Sequence, residues 1–303
     1  MTVLQKAVTP ATSAAYLEAG HDRVAGFVVR ADDVAWATTP ADLFHAHGLG
    51  FAGSPFRADD PYIDVLRFPV TAQLRLENAT GGTDAATQAL TGGPFIDRAP
   101  FTGTGFVPVE GHLVPLYWLE HSRVPATSEL VRIAADGTST VLARYLDVGH
   151  AWVSDVVQVT PPASKRISRL VGPIATWRSA SLNADPLSDE VVLAAENEPA
   201  GYGFTQTAAG RWRRVVPRNE VSELFELKVL ARWNGLEMRE VDRWTNDGTE
   251  VSRVSYIGHD ANLAEALQLT KIDAAVYELI VPTASLVDVV ATQLIPTAWS
   301  AQR

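Results

Sequence analysis

Cysteine is absent from all 303 residues, which excludes disulfides, zinc–thiolate centres and thiol nucleophiles. Lysine is nearly so: only Lys6, Lys165, Lys228 and Lys271 stand against 21 arginines. With abundant alanine, that bias reads as the codon usage of a GC-rich, actinobacterial genome. No apolar run reaches the roughly 18 residues of a membrane span. The opening MTVLQKAVTPATSAAYLEAG lacks the basic-then-apolar order of a secretory signal, so a cytoplasmic protein is expected. Positive charge is also in deficit, with 25 Lys+Arg against 35 Asp+Glu and a net charge of −10. Nucleic-acid binding needs a basic face and is therefore disfavoured, whereas a basic partner protein would suit. Gly-x-Ser-x-Gly elbows, phosphate loops and dinucleotide fingerprints are missing as well.

What is present is globular: 47% hydrophobic and 20% charged residues give no sign of disorder. The length suggests more than one domain. Ser13 to His21 reads as a short serine-capped helix and Val24 to Arg30 as a strand. Thr39-Pro40, then ADLFHAH and Gly48, give a helix with a threonine cap, first-turn proline and terminal glycine. Strands are expected at Tyr62–Phe68 and Gln73–Glu77, a long loop from Asn78 to Phe106, and a buried strand over Leu113–Val124. Glu129–Ile133 and Thr140–Tyr145 flank the Asp136-Gly137 hairpin step, and His150–Val159 alternates like a further strand. The proline-bearing, polar stretch Thr160 to Arg169 reads as a linker.

Beyond it the chain repeats itself. Ile174-Ala175-Thr176-Trp177-Arg178 returns as Leu230-Ala231-Arg232-Trp233-Asn234, and Val215 to Leu224 returns as Ile280 to Val289. Glu190-Val191 matches Glu250-Val251 in between, so the offset grows from 56 (174 to 230) through 60 (190 to 250) to 65 (215 to 280). Such self-similarity marks two copies of one supersecondary unit. The second copy has the Asn246-Asp247-Gly248 turn and an inserted helix at Asn262–Gln268, where the first has the glycine-rich loop Glu196 to Gly210. The expected fold is therefore α+β and β-rich. A mixed domain (1–159) and a linker (160–173) precede two tandem SH3-like barrels, 174–229 and 230–303, each burying its tryptophan.

Several residues invite chemistry. His45 and His47 would chelate on a strand, but a helix turns them about 200° apart. Glu110 with His112, and Glu120 beside His121, are candidates for a general-base or metal site. Gly81-Gly82, Gly92-Gly93 and the pairs Asp32-Asp33 and Asp59-Asp60 read as turns. Arg30 at a strand end, followed by TPADLFHAHGLGF, resembles the opening of mono-ADP-ribosyltransferase toxins of the pertussis type. Thr138-Ser139-Thr140 and Glu196-Asn197-Glu198 then follow in the order of that family's later motifs. The resemblance implies an NAD-consuming transferase or glycohydrolase. Arg30 would bind the pyrophosphate, Ser139 shape the pocket, and Glu198 stabilise an oxocarbenium-like centre.

The tryptophan repeats point elsewhere. Trp212, with the alternating Arg211 and Arg213 that should share a solvent face, and Tyr202 and Phe204 in the variable loop, form the candidate binding set. The Trp-anchored repeats resemble those of actinobacterial proteins associated with polymorphic toxins. That resemblance implies an immunity or toxin-associated module that binds a partner protein without catalysis or cofactor. This recognition role is the leading expectation, with the NAD-using enzyme as the alternative and the oligomeric state left open.

Overall fold

A computed structural model of the chain describes residues 2–82, 84–91 and 103–300. The N-terminal part carries strands β1 (Val3–Ala7), β2 (Arg23–Arg30), β3 (Tyr62–Pro69), β4 (Leu76–Asn78), β5 (Phe106–Val109), β6 (His112–Pro115), β7 (Tyr117–Arg123), β8 (Ser128–Ala134), β9 (Ser139–Tyr145) and β10 (Trp152–Val153). Eight form an antiparallel sheet in the order β10-β9-β8-β3-β1-β2-β7-β4, while β5 and β6 make a separate hairpin. Between its terminal arginines β2 is apolar, because it is covered on both faces. Phe27 and Val29 join a core that includes Leu43 and Ala46 of helix α2 (Pro40–Ala46). Val24 and Val28 join a second core with Tyr16 of helix α1 (Pro10–Glu18).

Capping explains where these helices begin. Thr39 accepts the Asp42 N–H at 3.2 Å, and Asp42 accepts the Thr39 N–H at 3.1 Å, a reciprocal box satisfying two orphan donors. Thr39→Ala is expected to cost about 1 kcal/mol in urea denaturation. The cap of α1 is Thr9, four residues before the Ser13 cap read from sequence. Ser13 instead lies buried within that helix and donates to Asp64 Oδ2 at 2.6 Å.

Three further expectations are corrected. The stretch read as one strand from Leu113 to Val124 is a hairpin arm and β7, interrupted at Leu116, whose N–H turns to the Gly105 carbonyl. The loop read over Asn78–Phe106 contains helix α3 (Ala85–Thr91); Gly92-Gly93 lie outside the described residues. The strand read over His150–Val159 shrinks to β10, because Ser154 Oγ takes the N–H groups of Val156 and Val157 and turns the chain.

The C-terminal part forms one eleven-stranded sheet from β11 (Pro173–Trp177), β12 (Ala180–Pro186), β13 (Glu190–Ala195), β14 (Thr205–Gln206), β15 (Trp212–Pro217), β16 (Glu223–Trp233), β17 (Leu236–Asn246), β18 (Thr249–Tyr256), β19 (Thr270–Asp273), β20 (Val276–Pro282) and β21 (Val287–Leu294). Helices α4 (Ala261–Ala266) and α5 (Thr297–Ser300) complete it. The duplication is visible in the strand register. Ile174↔Asn183 and Trp177↔Ala180 in the first unit correspond to Leu230↔Arg239 and Trp233↔Leu236 in the second. Both hairpins turn through two left-handed residues, Arg178 and Ser179 (φ 48 and 64°) and Asn234 and Gly235 (φ 48 and 81°). One turn of 3-10 helix follows Pro217 and again Pro282. The next strand then returns to the first of its unit, with Ile174↔Phe225 and Leu230↔Val290.

β16 therefore serves twice, as the last strand of the first unit and the first strand of the second, and the expected division at 229/230 falls inside it. Among the described strands the pairings run as an open sheet, and no pairing closes either unit into a barrel. The two sheets are locked together by ion pairs that each have at least one buried partner: Lys6–Asp273 at 2.7 Å, Arg75–Glu226 at 3.0 Å and Arg23–Asp242 at 3.4 Å. The connecting stretch packs closely too, with Ile167 buried and Arg166 bonded to Asp242. No helix among the described residues is long and apolar enough to cross a membrane.

Candidate functional site

The three residues of the transferase reading do not meet. Arg30 is the exposed last residue of β2, its guanidinium 5.3 Å from the Tyr117 ring. Ser139 is exposed at the start of β9, four strands along the sheet from β2, so about 19 Å of strand spacing separates them. Glu198 lies exposed after β13 in the other sheet, and Glu196 beside it accepts the Ile167 N–H at 2.9 Å. The motif order along the chain held no information on strand order, and strand order is what pulls Arg30 and Ser139 apart. Thr138-Ser139-Thr140 follows from hairpin chemistry, since the Thr138 N–H donates to Asp136 Oδ1 at 2.9 Å.

The histidine pairs also separate. His45 is exposed while His47 is buried 3.0 Å from Gln5 Nε2, and burial pushes the His47 imidazole down to about 3. His112 stacks on Trp36 at 4.2 Å.

Of the expected binding residues, Arg213 of β15 and Arg211 just before that strand both turn toward protein instead of water. Arg211 is buried, donating to the Val148 carbonyl at 2.8 Å and lying 3.6 Å from Asp22. Arg213 donates to Asp147 Oδ2 at 2.9 Å. Their predicted solvent face is thus corrected to a joint with the loop after β9. Phe204 is buried and Trp212 half-buried, both in the core of the first unit. Tyr202 is the one member of the set left open, 41% exposed.

Around Tyr202 the sequence-predicted set gives way to a different one. Trp177 lies edge-on to Tyr202 at 5.6 Å and to Phe204 at 6.1 Å. The Arg178 guanidinium sits 4.7 Å from the Trp177 ring and 5.4 Å from Tyr202, and Arg214 sits 5.3 Å from Trp177. Arg214 also donates to the Tyr202 carbonyl, and the Trp177 indole N–H donates to Glu220 at 3.2 Å. Gly203 (φ +65°) supplies the left-handed conformation this turn requires, next to the Arg214 guanidinium. Among the described residues no carboxylate forms an ion pair with Arg178 or Arg214. The signal for Arg178 was its place in the turn directly after the repeated tryptophan. Arg214 had no such signal, because it took the fold to show which arginine of the run faces Trp177.

A second concave site lies between the sheets, a cavity of about 160 Å³ beside Trp118, Glu120, His121 and β18. Glu120 binds Lys228 at 2.8 Å and Arg239 at 3.2 Å. His121 Nε2 lies 2.8 Å from Ser255 Oγ and 3.6 Å from Glu278 Oε1, while burial holds its imidazole well below the usual range. A serine–histidine nucleophile pair needs its orienting carboxylate on the other ring nitrogen and an accessible hydroxyl. Here Glu278 approaches the same nitrogen and Ser255 is buried. Glu120-His121 was visible in the sequence as a candidate pair. Its partners Lys228, Arg239 and Ser255 lie more than a hundred residues away and had no local signal.

No protein-family model, curated protein or solved structure matches the chain.

Proposed function

We propose that the protein is a recognition module that binds a partner protein through the aromatic–arginine face of its first C-terminal unit, without catalysis of its own. The observation carrying this reading is Tyr202, exposed yet held between Trp177, Arg178 and Arg214. Tyrosine, tryptophan and arginine are the residues that dominate binding energy at interfaces. Their edge-on and cation–π contacts order them in advance, which reduces the entropy lost on binding. The strand orders β16-β11-β12-β13-β15 and β21-β16-β17-β18-β20, each with a 3-10 turn before its last strand, support an SH3-like reading of both units. In that reading the variable loop bearing Tyr202 is the recognition loop, as an immunity or toxin-associated protein would use it.

The face has two guanidiniums and one carboxylate, Glu220, so it suits a segment with an acidic residue beside an aromatic or aliphatic one. The net charge of −10 favours a partner that is basic elsewhere. Panning the protein against a displayed random-peptide library should enrich such acidic–apolar sequences. Tyr202→Ala should weaken their binding by about thirtyfold, the cost of losing an interface anchor. Peptides that bind the Tyr202→Ala variant as well as the native protein would refute the assignment, as would a library that yields no binders.

A further inference from the structure

The cavity between the sheets has a ligand chemistry of its own, separate from the aromatic–arginine face. Its volume is about 160 Å³, and a cavity of about 150 Å³ is enough to take a benzene molecule. From the N-terminal sheet, β7 lends it Trp118, Glu120 and His121, and β4 lends Glu77. From the C-terminal sheet come Lys228 of β16, Arg239 of β17, and Ser255 and Tyr256 of β18. Trp118 and Tyr256 give the cavity flat aromatic walls. His259 also lines it, its ring perpendicular to that of Trp118 at 4.9 Å. That residue is held at φ 55°, a left-handed conformation that costs a non-glycine residue energy and recurs at ligand clamps.

The charged side of the cavity holds more donors than acceptors. Arg239 is 3% exposed, yet among the described residues only one of its five N–H groups is paired, Nη1 donating to Glu120 Oε2 at 3.2 Å. Its Nε is buried with no partner. Lys228 donates to the same Glu120 oxygen at 2.8 Å and has two further N–H groups to give. One carboxylate oxygen thus serves two cations. Glu226, whose charge also acts on Arg239, is matched by Arg75 at 3.0 Å, and Glu77 is exposed to water, which screens it. His121 and His259 add no charge at neutral pH, because burial pushes the first well below its usual range and the second down to about 4. A buried guanidinium this short of acceptors costs stability until an anion completes it.

We propose that this cavity binds a small monocarboxylate about the size of benzoate, its carboxylate shared by Arg239 and Lys228 and its apolar body against Trp118 and Tyr256. The carboxylate accepts the charge-assisted hydrogen bonds that Glu120 alone leaves unmade, and it balances the surplus positive charge. Because both sheets line the cavity, the ligand also strengthens their docking by mass action.

Isothermal titration calorimetry of the full chain with sodium benzoate tests this, with benzyl alcohol as the uncharged match. The native protein should bind benzoate with a Kd of about 1 mM or tighter, and benzyl alcohol at least about tenfold more weakly. K228Q removes one cation and should weaken benzoate binding by about tenfold, whereas E120Q removes the competing carboxylate and should tighten it several-fold. Both positions are half-buried, so both variants should keep the native circular dichroism. Y202A should bind benzoate as the native chain does, because Tyr202 lies outside the cavity. A native chain that takes up no benzoate at about 10 mM overturns the proposal, as does equal affinity for benzyl alcohol. Unchanged binding in K228Q, or K228Q and E120Q shifting the affinity in the same direction, overturns it too. So does a loss in Y202A, which would put the probe on the aromatic–arginine face.

Discussion

Arg123→Ala is expected to destabilise the protein by about 3–5 kcal/mol, the usual cost of leaving a buried charge without its partner. Arg123 ends β7 in the N-terminal sheet and is 1% exposed. Its guanidinium reaches into the first C-terminal unit, donating to the carbonyls of Ala184 and Val171 at 3.1 Å and to Asn183 Oδ1 at 2.8 Å. It also lies 3.7 Å from the buried Asp185 carboxylate, whose other oxygen accepts the Val148 N–H at 2.5 Å. The planar fork serves several acceptors at once, so Arg123→Lys should recover only part of the loss. For a chain of this size the alanine variant should melt about 10 °C lower. Urea denaturation followed by tryptophan fluorescence measures it, and a loss below about 1 kcal/mol would mean that the sheets are not pinned at this point.

Acidification from pH 6.5 towards pH 4 should cost roughly several kcal/mol of stability. Burial pushes the imidazole of His47 down to about 3 and those of His21 and His259 to about 4, and holds His121 well below its ordinary value. The folded pKa values lie below the unfolded value near 6.5, so between them the unfolded chain binds more protons. The contribution is therefore complete above pH 6.5 and is lost as pH falls through that window. His47 alone, fully enclosed, accounts for about 3 kcal/mol by pH 4 in the linkage limit. Asp185 acts in the opposite sense, because burial raises its carboxyl to about 7 and protonation there favours the fold. Burial raises the Glu226 carboxyl too, but two carboxyls against four histidines, with Asp147 and Asp242 held low, leave the net effect acid-destabilising. Urea midpoints at pH 7 and pH 4.5 provide the measurement, and His47→Gln should flatten the difference. Equal midpoints in the native protein would contradict the burial of these rings.

The parts of the fold legible in the sequence are those written in short-range chemistry. The cap and proline of α2, the Asp136-Gly137 hairpin and the Asn246-Asp247-Gly248 turn each need only a few adjacent residues. Where neighbours in space decided the outcome, the sequence misled. Leu113–Val124 is apolar throughout, yet it breaks at Leu116 because that N–H is claimed by Gly105 across a separate hairpin. Of the candidate site, Tyr202 was identified, whereas Arg178 and Arg214 beside it were not.

The sequence by itself determined the duplication, down to the turn after each tryptophan and the proline before each 3-10 helix, because those features depend on backbone conformations that particular residues favour. Only the tertiary structure decided what each strand faces. It moved Arg211 and Arg213 from solvent into a joint, sent Arg123 across to Asp185, set Arg30 and Ser139 four strands apart, and made β16 common to both units. The physical reason is that alternation along a strand says which residues share a face. What covers that face depends on strand order and on the docking of the two sheets, which are set by burial between residues far apart in the chain.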